Sequence, residues 1–417
     1  MAEGHFLLGE GVRIRTMEAR YALPGSGRYR RIRAGILLTG LSIFAQLYFF
    51  QPILGGLTSA FSIEGASASL TVSMGTVGMS IGLFTAVFAG DLIGRRRLMV
   101  VSMLVSSVVT IAHMLVGSYP LLLALCLVKG VVLSGVSAVA LPYLTEEIAP
   151  QRLGQVIAVY LSGNTIGGMG GRVLSIFASN WGGWQASALA IGGISLLLGI
   201  VFTLIFPASR NFTPQRVSAQ VRFRRMRVFL STPYFIALYG IGAAIMGAFV
   251  SVYNYLSFLL EGPAYRLPHY LVALIFLMYM VGVAGSMVVG RLSDRREPTV
   301  LLRESLVLYL LGVALMSIPT LPTVIGGLGV QTFAFFACHT LASRLVSTHA
   351  GIGKTSATCL YWLVYYLGSS VVGYLTGLVY FRWGWLAFTG VIALLLAGAL
   401  VVAWRYVGRE AAVPALE

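Results

Sequence analysis

Long apolar stretches alternate with short polar ones along the whole chain. Apolar runs of membrane-spanning length recur six times before residue 207 and six more times after residue 232. A helix needs about 20 residues to cross the hydrocarbon core of a bilayer, whereas a barrel strand needs about ten with alternating polarity. The pattern therefore predicts an all-α integral membrane protein with twelve transmembrane helices, near residues 34–61, 68–90, 98–118, 120–144, 153–178, 186–206, 233–260, 268–290, 300–319, 321–345, 355–380 and 384–406.

The two groups of six spans repeat each other. The chain's two aspartates, Asp91 and Asp294, each follow the second span of their group, and Gly183-Trp184 recurs as Gly384-Trp385. Two related six-helix units of this kind are typical of transporters that bind their substrate between the halves. We expect two pseudo-symmetric bundles, 34–206 and 233–406, with a basic amino-terminal segment (1–33), a basic linker (207–232) and a tail (407–417) that are all cytoplasmic.

Composition and charge agree with this architecture. Hydrophobic residues make up 58% of the chain and charged residues only 10%, which excludes an ordinary water-soluble fold. The net charge is +16, and 25 of the 29 Lys and Arg residues lie in segments on the side of the termini. The positive-inside rule then places both termini in the cytoplasm. We attribute the positive charge to the orientation of the chain in the membrane rather than to nucleic-acid binding. We also expect the basic face to attract anionic lipid headgroups.

Short motifs point to one family. The segments GDLIGRRR (90–97) and GRLSDRR (290–296) follow the second span of each half, and LPYLTEEI (141–148), YLSGNTIGGMGGR (160–172) and YYLGSSVVG (365–373) lie in later spans. Over residues 30–406 the chain resembles the major facilitator superfamily, and within it the bacterial efflux-permease branch that includes AraJ-like and YnfM-like exporters. The resemblance implies the major facilitator fold, alternating access, a monomer and a place in the bacterial inner membrane.

The resemblance also implies a conformational latch in the loop after the second span of each half. Such a latch forms in one access state and breaks in the other, because an aspartate can pair with guanidinium groups or a helix amino terminus. A solvated loop that only sets topology is the alternative. The candidate latch residues are Asp91, Gly94, Arg95, Arg96, Gly290, Asp294 and Arg295.

Polar residues inside the spans are candidates for a substrate cavity. Lys129 lies about 14 Å along its predicted span at 1.5 Å per residue, and an ammonium near mid-membrane is costly and usually functional. It would bind substrate or a proton, although pairing with carbonyls or a snorkelled lysine explains it equally well. The other candidates, each of which could instead form an interhelical hydrogen bond, are Gln46, Gln51, Asn164, Asn254, Gln331 and Tyr361.

The fifth span combines small residues with one arginine. Gly163, Gly167, Gly168 and Gly171 are predicted to let this helix approach a neighbour closely. Arg172 is expected near the outer surface, where it would anchor the helix rather than bind a ligand. The lone histidines His113 and His339 are expected to be structural.

The function we expect is secondary transport. By resemblance, the chain exports small neutral or cationic amphipathic molecules, drug-like or sugar-like, driven by a proton gradient and without a cofactor or metal. No acidic residue lies deep in a predicted span, so Lys129, His113 or His339 would have to titrate, unless Glu146 or Glu147 lies deeper than expected.

Other functions are weaker readings of the sequence. Uptake by a symporter or facilitator stays open, and a receptor or scaffold would leave the repeat unexplained. An enzyme is disfavoured because no paired acids, histidine cluster or nucleophile with its base is visible. An ATP-driven pump is disfavoured because the chain has no Gly-x-x-x-x-Gly-Lys-Ser/Thr loop.

Overall fold

The computed structural model describes residues 21–89, 94–212 and 219–408. Within these ranges ten helices are long and apolar enough to cross a membrane. Two of them, Pro150–Ile205 and Lys354–Tyr406, contain a break in helical geometry at Gly182–Gly183 and at Gly384. Each is therefore a pair of spans, which brings the total in the described ranges to twelve, as the sequence predicts.

We number the spans α1 to α12 in chain order. The end of the bundle that holds residues 27, 150 and 406 is called the inner end, in keeping with the predicted orientation. The linker contains one further helix, Ala219–Ser231. The spans are α1 (Gly27–Phe61), α2 (Gly65–Ala86, with its main helix Leu70–Ala89), α3 (Arg95–Leu115), α4 (Tyr119–Glu147), α5 (150–181), α6 (184–205), α7 (Pro233–Glu261), α8 (His269–Leu292), α9 (Pro298–Met316), α10 (Leu321–His349), α11 (354–383) and α12 (385–406).

The repeated Gly-Trp pairs mark equivalent turns in the two halves. Gly183 has a φ of 66° and Gly384 a φ of 79°, in the left-handed region that glycine enters without steric cost. The chain therefore reverses direction between α5 and α6 and again between α11 and α12. This equivalence supports the predicted repeat of two six-helix units.

Glycines set the close packing of α5 on α1. A Cβ atom on Gly163, Gly167 or Gly171 would collide with the backbone of Leu37, of Leu41 or of Ala45, respectively. In the other half, Gly368 of α11 meets Ala243 of α7 in the same way. The three glycines of the fifth span thus stand where α5 and α1 approach closely.

A proline breaks α1 near its outer third. Pro52 has no N–H to donate, and its ring clashes with the carbonyl four residues earlier. The regular helix accordingly ends at Tyr48, and a 3₁₀ turn over Gln51–Ile53 precedes the outer helix Leu54–Phe61. Ser175 of α5 donates a hydrogen bond to the Phe49 carbonyl over 2.8 Å, so a carbonyl in the break is paired.

Ion pairs hold the inner ends of helices together. Glu147 of α4 is fully buried, accepts from Arg28 of α1 over 2.5 Å, and also accepts from the backbone N–H groups of Arg210 and Asn211. Glu146 pairs with Arg95 of α3 over 3.1 Å. Both glutamates thus lie at the inner end of α4 and not deep in the span.

Helix α2 packs on α4 through two glycines, which generates a test of the fold. A Cβ atom on Gly130 of α4 would collide with the carbonyl oxygen of Gly75. We expect Gly130→Val to lower the free energy of unfolding by about 1–3 kcal/mol, because neither backbone can move away without disturbing the bundle.

The measurement is the thermal midpoint of detergent-purified protein. Gly398→Val is the matched control, since no heavy atom lies within 4 Å of a Cβ built at this exposed position of α12. Equal midpoints for the two variants would contradict the described α2–α4 packing.

Candidate functional site

Polar side chains of both halves meet in the outer part of the bundle, between α1, α5 and α7. Nε2 of Gln51 donates to Oδ1 of Asn254 over 2.7 Å. Nε of Arg172 donates to Oε1 of the same Gln51, also over 2.7 Å. All three side chains are buried, with exposures of 1% for Gln51, 0% for Asn254 and 2% for Arg172. We call Gln51, Asn254 and Arg172 the interface cluster.

The guanidinium fixes the orientation of both amides. An arginine side chain has only donors, so Gln51 must present its oxygen to Arg172 and its nitrogen to Asn254. Asn254 therefore accepts with its oxygen, and its Nδ2 has no hydrogen-bond partner among the described residues. The spare hydrogen-bonding capacity of Asn254 is consequently a donor.

Aromatic rings surround the guanidinium. Its central carbon Cζ lies 4.5 Å from the ring centroid of Tyr48, 4.7 Å from that of Tyr279 and 5.7 Å from that of Phe276. Nη1 also donates a hydrogen bond of 2.7 Å to the Gly168 carbonyl. The charge is thus balanced by ring faces and neutral oxygens, and no carboxylate is among its described contacts.

The expectation that Arg172 anchors α5 at the outer surface is wrong. The glycine face of α5 packs on α1, and Arg172 follows Gly168 by one turn, so its side chain is directed into the contact between the halves. The sequence contained one usable signal: Arg172 directly follows Gly171, which belongs to that packed face. The rings of Phe276 and Tyr279 were also not singled out by sequence.

The cluster joins equivalent positions of the two halves. Asn254 follows Gln51 by 203 residues, the same offset that separates the two aspartates. On α5 and α11, where the offset is 201, the counterpart of Arg172 is Gly373. One half therefore supplies a guanidinium to its amide, whereas the other leaves Nδ2 of Asn254 facing a residue without a side chain.

Hydroxyl groups join α2 to α11 next to this cluster. Ser73 Oγ donates to the Ser370 carbonyl over 3.2 Å, and Ser370 Oγ donates to the Ser73 carbonyl over 3.1 Å. Thr76 Oγ1 lies 2.7 Å from Ser370 Oγ. These contacts between the halves use small neutral groups, which can separate and become hydrated at modest cost.

Aromatic side chains of α10 and α11 continue the interface inward. Tyr361, one of the predicted cavity residues, is buried, and its hydroxyl lies 3.0 Å from Nδ1 of His339. The His339 ring packs on Tyr365 at 4.8 Å and on Trp362 at 5.1 Å between centroids. His339 is therefore part of a packed aromatic group, in keeping with the structural role expected for it.

Lys129 lies inside the amino-terminal half rather than between the halves. Its side chain is 1% exposed, and Nζ is 4.6 Å from the ring centroid of Phe49 and 5.2 Å from that of Phe50. His113 packs near the same rings, with Nε2 3.5 Å from Sγ of Cys126. The break in α1 thus separates two buried cations, with Lys129 against Phe49 and Phe50, and Arg172 against Tyr48 and Gln51.

The other predicted amides lie within single halves. Gln46 accepts from Thr110 of α3 over 2.9 Å and donates to Ser42 of its own helix. The contact with Thr110 is an interhelical hydrogen bond, the alternative role that the sequence left open for Gln46. Asn164 is partly buried and packs on Gly40. Gln331 is fully buried, and neither its Oε1 nor its Nε2 has a partner among the described residues.

The predicted latch is only partly described. Asp91 lies outside the described residues. Asp294 is paired with Arg344 of α10 over 3.0 Å, not with the neighbouring Arg295, which is exposed. In the amino-terminal half, Gly94 is the N-cap of α3.

The arginines that follow Gly94 contact their own half. Arg95 pairs with Glu146, and Arg96 donates from Nε to the carbonyl of Phe206 and from Nη2 to that of Thr203, each over 2.7 Å. In the other half, Gly290 near the end of α8 has no heavy atom within 4 Å of a built Cβ. The latch contacts described here therefore fasten helices within one half.

The outer ends of the halves are in contact around a small cavity of about 500 Å³. Trp184, Ser179 and His269 are among its lining residues. Nε2 of His269, on α8, lies 3.4 Å from Oγ of Ser179, on α5, and its Nδ1 lies 2.5 Å from Glu261. On the α2 side, the Phe381 ring occupies the space that a Cβ on Gly65 would need. The outer side of the interface is therefore closed.

Comparisons with known proteins identify the family. Residues 36–373 match the model of the Major Facilitator Superfamily. The chain is 32% identical to the MFS-type transporter YybF of Bacillus subtilis (strain 168), covering 94% of this chain and 97% of that one, and 33% identical to the inner membrane transport protein YnfM of Escherichia coli (strain K12), covering 91% of each. An inward-facing, occupied bacterial homologue of the human lysosomal transporter Spinster shares the fold, with a TM-score of 0.74, 15% identity and coverage of 94% and 100%.

The interface cluster can be tested through its stability. Gln51→Leu removes the acceptor of Arg172 Nε and the donor to Asn254 while keeping the volume similar. Because a buried polar group without a partner costs about 1–3 kcal/mol, we expect the thermal midpoint of the purified variant to fall. Gln155→Leu, at an exposed position of α5, serves as the control. An unchanged midpoint for Gln51→Leu would show that Gln51 does not satisfy the guanidinium.

Proposed function

The chain belongs to the Major Facilitator Superfamily, and we propose that this secondary transporter exports small amphipathic organic molecules in exchange for protons. The interface cluster is the observation that carries the proposal. Its polar groups lie where the two halves meet and are surrounded by aromatic rings, as a site for an amphipathic molecule requires. Its three residues come from three different spans, so a movement of one half against the other takes the site apart or assembles it.

The closed outer side defines one end state of the transport cycle. Ser179 and His269 at the outer cavity, and Ser73 with Ser370 between α2 and α11, are contacts that the outward-open state would have to break. All are neutral or solvent-accessible hydrogen bonds, whose net stabilisation is about 0.5–1.5 kcal/mol each. Contacts of this strength suit a protein that alternates between two states of similar free energy.

We propose Lys129 as the group that exchanges the proton. The carboxylates of the described spans lie near their ends: Glu146 and Glu147 close α4, Glu261 closes α7, and Glu304 is exposed on the first turns of α9. Lysine, unlike arginine, can release its proton when it is buried. Loss of the proton would remove the attraction between Nζ and the two phenylalanine rings.

The break in α1 would transmit this change to the substrate site. Phe49 and Phe50 contact Lys129, and the next residue, Gln51, is the centre of the interface cluster. Because Pro52 interrupts the helical hydrogen bonds here, the segment can shift without unwinding a regular helix. Residues 48–51 contact either Lys129 or Arg172. A proton on Lys129 and a substrate at Arg172 would therefore compete for the position of this one segment.

We further propose a direction of transport, an orientation in the membrane and a contact with lipid. Resemblance to the efflux-permease branch supports outward transport from a bacterial cell, with both termini cytoplasmic and the monomer as the working unit. In the linker helix, arginines such as Arg224 stand beside exposed Phe223 and Leu230, a combination that suits contact with anionic lipid at the cytoplasmic face. The basic inner segments are assigned to this lipid contact and to topology, not to nucleic acid.

Replacement of Lys129 tests the coupling. In proteoliposomes with an internal pH dye, we expect Lys129→Met to abolish substrate-driven proton movement, since methionine cannot carry a proton. Exchange of labelled for unlabelled substrate, which needs no net proton transfer, should remain within a few-fold of the unaltered protein. Lys354→Met is the control, because Lys354 is the chain's only other lysine and is exposed near the inner end.

The outcomes separate the alternatives. Proton movement that persists in Lys129→Met would rule out Lys129 as the coupling group. Protons that move in the same direction as substrate in the unaltered protein would indicate a symporter, and substrate movement without protons would indicate a facilitator.

A further inference from the structure

We infer that the transported molecule is an organic anion, whose carboxylate or similar acidic group binds Arg172 and Asn254 in the interface cluster. The inference rests on the proposed transport function and adds the charge of the substrate to it. The sequence analysis expected a neutral or cationic molecule. The arrangement of donors and acceptors between the halves favours the opposite charge.

The spare hydrogen-bonding groups of the cluster are donors. Gln51 uses both ends of its amide, with its oxygen to Arg172 and its nitrogen to Asn254. Nδ2 of Asn254 is fully buried and has no partner among the described residues. A site with a guanidinium and an unused amide N–H₂ lacks acceptors, and a carboxylate supplies two oxygens for these groups.

The positive charge of the cluster is not neutralised by the protein. The described contacts of Arg172 are Gln51, the Gly168 carbonyl, three rings and a hydrogen bond to the Tyr279 side chain, and no carboxylate is among them. Lys129 adds a second buried cation on the other side of the break in α1. Because the water-poor interior weakens screening, a bound anion gains from both charges.

The missing symmetry of the cluster leaves Asn254 without a charged side chain from α11. Gly373 stands where the pseudo-symmetric counterpart of Arg172 would be, and a Cβ atom built on it lies 3.5 Å from Nδ2 of Asn254. An arginine at this position would have placed a second guanidinium beside Asn254. The glycine leaves the donor of Asn254 free of any side chain on that side.

The rings around the guanidinium suit the apolar body of the molecule. Tyr48 and Tyr279 lie on Arg172, with Phe276 at the edge of the same group. A flat apolar group can pack on these faces while its acidic group reaches the guanidinium. The arginine-rich inner surface would also raise the local concentration of anions where an exporter collects its substrate.

Charge-matched probes test the inference on the unaltered protein. Three sets share a skeleton and differ in charge: benzoate, benzamide and benzylamine; 1-naphthoate, 1-naphthamide and 1-naphthylmethylamine; indole-3-acetate, indole-3-acetamide and tryptamine. A ligand that binds the folded protein raises its unfolding temperature. We expect the carboxylate of at least one set to raise the midpoint at millimolar concentration, and its neutral and cationic partners to have little effect.

Variants of the cluster identify the binding residues. Arg172→Gln should weaken carboxylate binding by roughly 10- to 100-fold, the loss expected for a charge-assisted hydrogen bond, and Arg172→Lys should restore part of it. Asn254→Asp keeps the shape of the side chain but places an acid beside the guanidinium, so carboxylate binding should fall there as well. The controls are Arg382→Gln and Gln155→Glu, which make the same changes at exposed positions.

Each result decides one of the two proposals. Carboxylate binding that survives in Arg172→Gln, stronger binding of the amides or amines, or no binding of any carboxylate would overturn the inference. If neutral or cationic probes exchange for protons in proteoliposomes, the transport proposal stands and the inference fails. If carboxylates bind through Arg172 but no probe crosses the membrane, the anion-binding site stands and the transport proposal fails.

Discussion

The guanidinium of Arg172 is buried between two helix bundles and cannot lose its proton. The groups around it must therefore supply the hydrogen bonds that water would otherwise make. Arg172 is solvated by a glutamine of α1, a carbonyl of its own helix and rings from both halves. This requirement brings Gln51 into contact with Asn254 and orients both amides. It also explains the glycine face of α5, because only close packing on α1 brings Gln51 within reach of the charge.

Pseudo-symmetry gives the interface its form, and a departure from it places the buried charge in one half. Equivalent amides meet near the axis that relates the halves, and equivalent glycines turn the chain between α5 and α6 and between α11 and α12. Next to the amides, Arg172 and Gly373 differ strongly at matching positions. The amino-terminal half therefore carries the charge, and Lys129 adds a second cation to the same half.

Sequence alone predicted the spans, the repeat and the packing role of the glycines. These features depend only on the length of each apolar run and on the size of single residues, which can be read without knowing the fold. It did not predict the burial of Arg172, since helical rise gives a depth along α5 but not the direction of the side chain. The partners of Arg172 are remote: Gln51 lies 121 residues away in the chain. Lys129 was placed at a plausible depth, but a single helix could not show that it faces the interior of one half.

The most direct test of the account is the distance between the halves at each end of the bundle. Spin-label pairs at exposed positions, 180 with 266 at the outer end and 152 with 295 at the inner end, would be measured by double electron–electron resonance in lipid nanodiscs, after replacement of the three cysteines. Across changes of pH, we expect the outer distance to lengthen as the inner one shortens, because the halves move about the interface cluster. Single, unchanged distances for both pairs would contradict a rocking transporter.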